Sequence, residues 1–110
     1  MTLTLSQSLQ LAVQHHQAGE LSTAETLYRQ VLQVQPDNSD ALHLLGLITF
    51  NLQNYEEAIR LIQQAIRIKN TVPNYYNSLG NIFRERNRLT DAVASYQRAV
   101  VLDPQFCRSL

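Results

Sequence analysis

The feature that most constrains this chain is an internal repeat of 34 residues. Leucine recurs at this spacing at Leu11, Leu45 and Leu79. Residues of matching size recur in the same three copies at Ala12, Gly46, Gly80; Ala24, Ala58, Ala92; and Tyr28, Ile62, Tyr96. A repeat of this length is typical of a solenoid, in which each copy is one small unit that buries its apolar face only by stacking on its neighbours.

Each copy divides into two segments with helical spacing of apolar residues. In the second copy, Leu42, Leu45 and Ile48 form one stripe, and Ala58 and Ile62 belong to the next. Turn-forming residues separate the segments. We therefore predict an all-α chain with six helices, at residues 5–18, 21–35, 39–52, 55–69, 73–86 and 89–102. The domain is residues 1–110, with repeats at 5–38, 39–72 and 73–106.

Gly46 and Gly80 fall inside predicted helices, where glycine costs about 1 kcal/mol relative to alanine. We attribute both to a close approach between the paired helices. The larger residues Tyr28, Ile62 and Tyr96 are then predicted to fill the space toward the next repeat.

Composition excludes several classes of protein. The chain has 9 basic and 9 acidic side chains and is 45% hydrophobic, which argues against a disordered tail and against a nucleic-acid binder. Its single cysteine, Cys107, excludes an internal disulfide framework. The sequence has neither a bilayer-spanning apolar run nor a signal peptide, so we expect no membrane partner and a cytoplasmic location.

The repeat pattern resembles the tetratricopeptide repeat (TPR) family across residues 5–106. The third copy matches the family's packing positions throughout, with Tyr76, Leu79, Gly80, Phe83, Ala92, Tyr96, Ala99 and Pro104. The resemblance implies a right-handed superhelical solenoid whose first helices line a concave groove. It also implies a protein-interaction module that binds a peptide or protein segment there.

No motif for catalysis is present, so we predict that the chain is not an enzyme and takes no cofactor. His15 and His16 are adjacent on a helix and point about 100° apart, which disfavours a shared metal ion. His16 and His43 could both face the groove, but no further ligand is in register with them. We predict no metal site.

The groove positions of the family supply the candidate partner-binding residues. These are Leu9, Val13, His43, Leu44, Leu47, Phe50, Asn77, Asn81 and Arg84. The aliphatic and aromatic members are not needed by the repeat consensus, which is typical of a binding surface. Asn77 and Asn81 are expected to offer a peptide backbone both donor and acceptor. The alternative is that these side chains contact one another across the superhelix.

Arg84 adds a second possibility for the ligand. With Arg86 and Arg88 it could attract an acidic peptide or protein surface, although a solvated turn explains the same residues. The carboxylate clamp of chaperone-tail binders is absent, because its slots hold Leu9, Val13, Asn74 and Ser78.

A second TPR subtype resembles this chain more than the chaperone-tail binders do. The segment 74–86 resembles the TPR arm of O-linked N-acetylglucosamine transferases and related bacterial proteins. The asparagine ladder of that arm is missing, since Gln10, Leu44 and Ser78 occupy its slots. The resemblance gives an alternative function, the recruiting arm of a larger enzyme such as a glycosyltransferase.

The C-terminal end predicts self-association. Residues 107–110 continue as the start of a truncated fourth repeat, which suggests a piece of a longer protein; a short protein that dimerises is the alternative. Residues 1–55 hold four acidic and one basic side chain, and residues 56–110 hold five acidic and eight basic ones. A head-to-tail contact would use that asymmetry. Apolar burial outweighs exposed ion pairs, so we favour a homodimer that buries Val93, Val100, Phe106 and Leu110.

Overall fold

The structure, a computed structural model, describes residues 4–104. Across that range it contains six α-helices and no strand. In chain order they are α1 (Leu5–Gln17), α2 (Leu21–Val34), α3 (Ser39–Asn51), α4 (Tyr55–Ile68), α5 (Pro73–Glu85) and α6 (Leu89–Leu102). Each helix begins where the sequence predicts and ends at the predicted residue or one before it, so the all-α prediction is confirmed.

The helices form three antiparallel hairpins that stack in a row. The pairs α1–α2, α3–α4 and α5–α6 make the hairpins, and α2 packs on α3 and α4 on α5 between them. The helix α3 also contacts α5 directly, so the first helices of repeats two and three meet on one side of the stack. The molecule measures 47 × 25 × 23 Å. This is the predicted solenoid. The residues beyond 104, including the predicted start of a fourth repeat, lie outside the described residues.

Local chemistry explains where the first helices begin. The Thr4 side chain accepts a hydrogen bond from the Gln7 backbone N–H, and the Gln7 side chain accepts one from the Thr4 backbone, forming a capping box. Asn38 caps α3 by accepting from the backbone N–H of Ala41. Pro73 occupies the first turn of α5, where its missing N–H costs nothing.

The turn inside each hairpin has the same backbone conformation. Gly19, Gln53 and Asn87 occupy one repeat register and have φ values of +83°, +66° and +60°. Only the first is a glycine, so the other two hold side chains in the left-handed region. Asparagine tolerates this region well, so Gln53 is the position at which the repeat fixes a turn geometry that the residue type does not favour.

The two helical glycines sit at close helix approaches, as predicted. A Cβ atom on Gly46 would lie 2.7 Å from Ile62 Cγ1, and one on Gly80 would lie 2.7 Å from the Tyr96 ring. Ile62 and Tyr96 thus cover the glycine of their own hairpin, and Ile62 also packs toward the next repeat as predicted, in one cluster with Leu79 and Ile82.

The core consists of two clusters joined along α4. The first is formed by repeats one and two and includes Ala12, Tyr28 and Leu45, with Tyr75 of α5 at its edge. The second is formed by repeats two and three around Ile62 and Ile82. Because these side chains are buried between hairpins, we expect that no single hairpin is stable on its own.

Candidate functional site

The candidate site is the surface formed by α1, α3 and α5, here called the inner face. Its first part is aliphatic. Leu9 and Val13 on α1 and Leu44 on α3 are partly exposed and pack against the first core cluster. Leu47 is also partly exposed but belongs to neither core cluster. These four residues are called the aliphatic patch below.

An open depression lies along the outer part of this patch. It has a volume of about 540 Å³ and is lined by Ser6, Leu9, Gln10, Val13 and Gln14. The lining side chains are aliphatic, hydroxyl or amide groups, and none is charged. Such a surface offers apolar contact and neutral hydrogen bonds to a ligand.

Phe50 is less available than predicted. Its ring makes an edge contact with Tyr55, with 5.6 Å between centroids, and it packs against the second core cluster. The side chain is half-buried by this contact. Phe50 therefore contributes to the packing of α3 on α4 and leaves only part of its ring on the inner face.

His43 is not an exposed groove residue, which corrects the prediction. It is only 8% exposed. Its Nε2 lies 2.8 Å from Ser78 Oγ, and its ring lies 4.7 Å from the Tyr75 ring. Burial lowers the pKa of His43 to about 4, although the charge of Asp40 acts in the opposite direction. The ring is therefore neutral near pH 7 and links α3 to α5.

Tyr75 completes this link. The residue is 1% exposed, and its hydroxyl donates a hydrogen bond to Asp40 and lies 3.1 Å from Ser39 Oγ. Burial and the hydrogen bond to Asp40 raise the pKa of Tyr75 to about 12. The residues Asp40, His43, Tyr75 and Ser78 are called the polar bridge below.

Sequence reasoning missed the polar bridge. The signal was a paired departure from the repeat. At the junction of the first two copies, the slots equivalent to His43 and Ser78 hold Leu9 and Leu44, so the two facing positions are both apolar there and both polar at the next junction. A simultaneous change at two slots is what a new hydrogen bond across a repeat junction requires.

Asn77 and Asn81 on α5 were predicted to offer a peptide both a donor and an acceptor. The structure does not show this arrangement. Asn81 Oδ1 accepts a hydrogen bond of 2.5 Å from the Tyr96 hydroxyl. Asn77 Oδ1 is buried, and no residue of the described chain donates to it. The accessible groups of the predicted site residues on α5 are the Asn81 amide NH₂ and the exposed Arg84.

The other arginines near the end of α5 are held by the fold. The Arg86 guanidinium lies 5.4 Å from the Tyr55 ring and 4.0 Å from Glu56. The Arg88 guanidinium lies 4.7 Å from the Phe83 ring and 3.0 Å from Asp91. These contacts favour the interpretation of both residues as packing on the hairpin turn over a basic ligand patch.

The histidines of α1 also have local partners. His15 lies 3.4 Å from Glu20, and His16 Nδ1 lies 3.5 Å from the Tyr28 hydroxyl. Burial lowers the pKa of His16. Within residues 4–104, no group of three histidine, cysteine or acidic side chains could hold a metal ion. No helix in that same part of the chain is long and apolar enough to cross a membrane.

A second apolar surface lies on α6. It is a depression of about 510 Å³ lined by Val93, Tyr96, Gln97, Val100 and Val101. Val93 is 52% exposed and Val101 is 71% exposed. The register counterpart of Val93 one repeat earlier, Ile59, is only 6% exposed. Ile59 lies on α4, which α5 covers. The predicted partners Phe106 and Leu110 lie outside the described residues.

Comparison with known proteins identifies the repeat. The tetratricopeptide repeat family matches residues 15–82, and a TPR repeat match follows at residues 80–108. The UDP-N-acetylglucosamine–peptide N-acetylglucosaminyltransferase of Caenorhabditis elegans is 35% identical over 89 residues, which are 81% of this chain and 8% of that protein. The protein O-mannosyl-transferase TMTC1 of Mus musculus is 30% identical over 90 residues, which are 78% of this chain and 10% of that protein.

Solved structures share the fold. MamA superposes with a TM-score of 0.89 at 20% identity, over 96% of this chain and 62% of that one. A mutant of the Thermobaculum terrenum O-GlcNAc transferase superposes with a TM-score of 0.88 at 29% identity, over 99% of this chain and 22% of that one. The chain spans a tenth or less of the two curated relatives. TPR repeats are a type of protein-interaction module, and the chain belongs to the tetratricopeptide repeat family.

Proposed function

We propose that this chain binds a peptide or protein segment on its inner face and catalyses no reaction by itself. The observation that carries the proposal is the aliphatic patch. Three of its members complete the packing of the core, but Leu47 packs against neither cluster. Four partly exposed aliphatic side chains on two first helices, two of which (Leu9 and Val13) also line an open depression, favour an interaction surface.

Capture of peptides from a display library by the immobilised 110-residue chain tests this proposal. Leu47→Asp places a charge in the patch and should abolish enrichment of the captured peptides. Gln64→Asp adds the same charge at an exposed position of α4 and should leave enrichment unchanged. Equal enrichment on both variants and on the parent would show that the inner face is not the binding surface.

A second candidate is the recruiting arm of a larger enzyme, such as a glycosyltransferase. The support is the 35% identity to a peptide N-acetylglucosaminyltransferase and the close superposition on an O-GlcNAc transferase. The gene that encodes this chain decides between the two. A glycosyltransferase domain in the same reading frame supports the arm, and a reading frame with no catalytic domain supports the independent interaction module.

We also propose that the chain forms a symmetric homodimer through the α6 surface. The support is the exposure of Val93, whose counterpart Ile59 on α4 is covered, and of Val101 in the same apolar depression. Apolar burial contributes about 25 cal/mol per Å², which outweighs the repulsion between like charges at exposed positions. We place this binding function in the cytoplasm, since a single cysteine fits a reducing compartment.

A further inference from the structure

The two junctions between first helices are built from different chemistry. At the junction of repeats two and three, His43 of α3 meets Ser78 of α5 at 2.8 Å. The same two slots at the junction of repeats one and two hold Leu9 and Leu44. The slot of Tyr75, whose ring fills the second junction, holds Ala41 at the first.

These differences determine which junction can accept a ligand. The polar bridge satisfies its own hydrogen bonds, and its central residues are closed to solvent, with Tyr75 at 1%, His43 at 8% and Ser78 at 9% exposure. Beyond it, Asn81 Oδ1 is taken by Tyr96 and Asn77 Oδ1 is buried. The centre of the α3–α5 junction therefore offers a peptide little accessible surface, while Asp40, Asn74 and Arg84 on the same two helices are exposed.

The α1–α3 part has the opposite character. Its aliphatic side chains are partly exposed, and the rim of the adjoining depression carries Ser6, Gln10 and Gln14. These hydroxyl and amide groups can donate to and accept from a peptide backbone. No charged side chain lines the depression, so a charged ligand group would lose hydration there without gaining a partner.

We infer that the ligand of the inner face is an uncharged, aliphatic-rich peptide segment that binds over α1 and α3, and that the polar bridge excludes it from the α3–α5 junction. This inference rests on the proposed binding function and specifies its ligand. It also favours a neutral segment over an acidic one, because Arg84 lies on α5, whereas the aliphatic patch lies on α1 and α3.

Two short fluorescent peptides test the inference. One alternates leucine with glutamine, and its twin has glutamate in place of every glutamine. We expect the neutral peptide to bind the 110-residue chain at least tenfold tighter than its acidic twin, by fluorescence anisotropy. Its affinity should change little between about 50 mM and about 500 mM salt, because screening acts on charged pairs.

Variants at one repeat register locate the bound peptide. Val13, Leu47 and Asn81 occupy the same slot of the three copies, so Val13→Asn and Leu47→Asn place the third copy's residue in the first two. Each should weaken binding of the neutral peptide at least tenfold, whereas Arg84→Gln and Val101→Asn should leave it unchanged. If Val13→Asn does not fold, Leu47→Asn still decides, because Leu47 lies outside both core clusters.

The possible outcomes distinguish failure of this inference from failure of the proposed binding function. Tighter binding of the acidic twin that is lost in Arg84→Gln would overturn the inference and leave inner-face binding intact. Failure of both peptides to bind would also overturn the inference, and library capture would then decide the binding function alone. Binding that is lost only in Val101→Asn would overturn both, because it would place the ligand on α6.

Discussion

Gly46 on α3 and Ile62 on α4 are so close that a methyl group on the glycine would lie 2.7 Å from Ile62 Cγ1. Real carbon atoms do not approach so closely without contact strain, and Cγ1 is held near the backbone of α4. This pair fixes the distance between the helices of the second repeat.

The first prediction is that Gly46→Ala lowers the free energy of unfolding by about 1–3 kcal/mol, although alanine is the better helix former. Gly46→Leu and Ala58→Leu should cost at least as much, because both overpack the same helix pair. Chemical denaturation followed by circular dichroism measures the change. The double variant Gly46→Ala/Ile62→Ala should cost less than the sum of its singles. A Gly46→Ala variant as stable as the parent would contradict the close approach.

The second prediction concerns the hydrogen bond between His43 and Ser78. His43→Leu or Ser78→Ala alone leaves one buried polar group without its partner, which costs about 1–3 kcal/mol. The double variant removes both polar groups and resembles the aliphatic first junction. A double-mutant cycle should therefore give a coupling energy of about 1 kcal/mol, with the double variant more stable than the two single costs imply. Strict additivity would show that the two side chains do not stabilise one another.

The third prediction is a pH dependence of stability that comes from His43. The pKa of this residue is about 4 in the folded chain, below the ordinary histidine value of 6.5. Between these two pH values the unfolded chain binds the proton more strongly, so stability is full above 6.5 and is lost as the pH falls toward 4. The total effect is on the order of 3 kcal/mol.

Urea unfolding between about pH 7 and about pH 5 measures this slope. Asp40, which faces His43, remains in the His43→Leu/Ser78→Ala variant, so the comparison isolates the histidine. The parent should lose stability over this range faster than the variant does. If the free energy of unfolding falls with pH equally in the two proteins, protonation of His43 does not contribute to the pH dependence of stability.

The sequence predicted the helices well because their boundaries depend on local chemistry. Turn residues such as Gly19 and the proline at the start of α5 mark helix ends within their own segments. The 34-residue repeat also shows each helix pattern three times, so the copies support one another. The glycine approaches were predictable for the same reason, since a helical glycine has a cost that only packing explains.

The site was less predictable because the same slot has different roles in different repeats. Leu9, His43 and Asn77 share one register, yet the first is partly exposed and the second bridges two helices. The oxygen of the third is buried. The difference depends on which residue the next repeat places opposite, so a position in one copy does not define it.

The fourth prediction is concentration-dependent self-association through α6. Sedimentation equilibrium should show dimers of the parent at high micromolar concentration. The double variant Val93→Ser/Val101→Ser removes apolar contact from the surface and should be monomeric. Val34→Ser is the matched control, because Val34 is 68% exposed but lies on α2. A parent that stays monomeric over the whole range would rule out the homodimer.

The fifth prediction places the ligand. Methyl resonances of leucine, isoleucine and valine report which side chains a bound peptide touches, so a titration of the labelled chain with the tightest displayed peptide tests the central claim directly. We expect the methyl groups of Leu9, Val13, Leu44 and Leu47 to shift together and saturate with one affinity, while those of Val93 and Val101 stay unchanged. Shifts confined to α6, with the aliphatic patch unmoved, would contradict the account of the inner face.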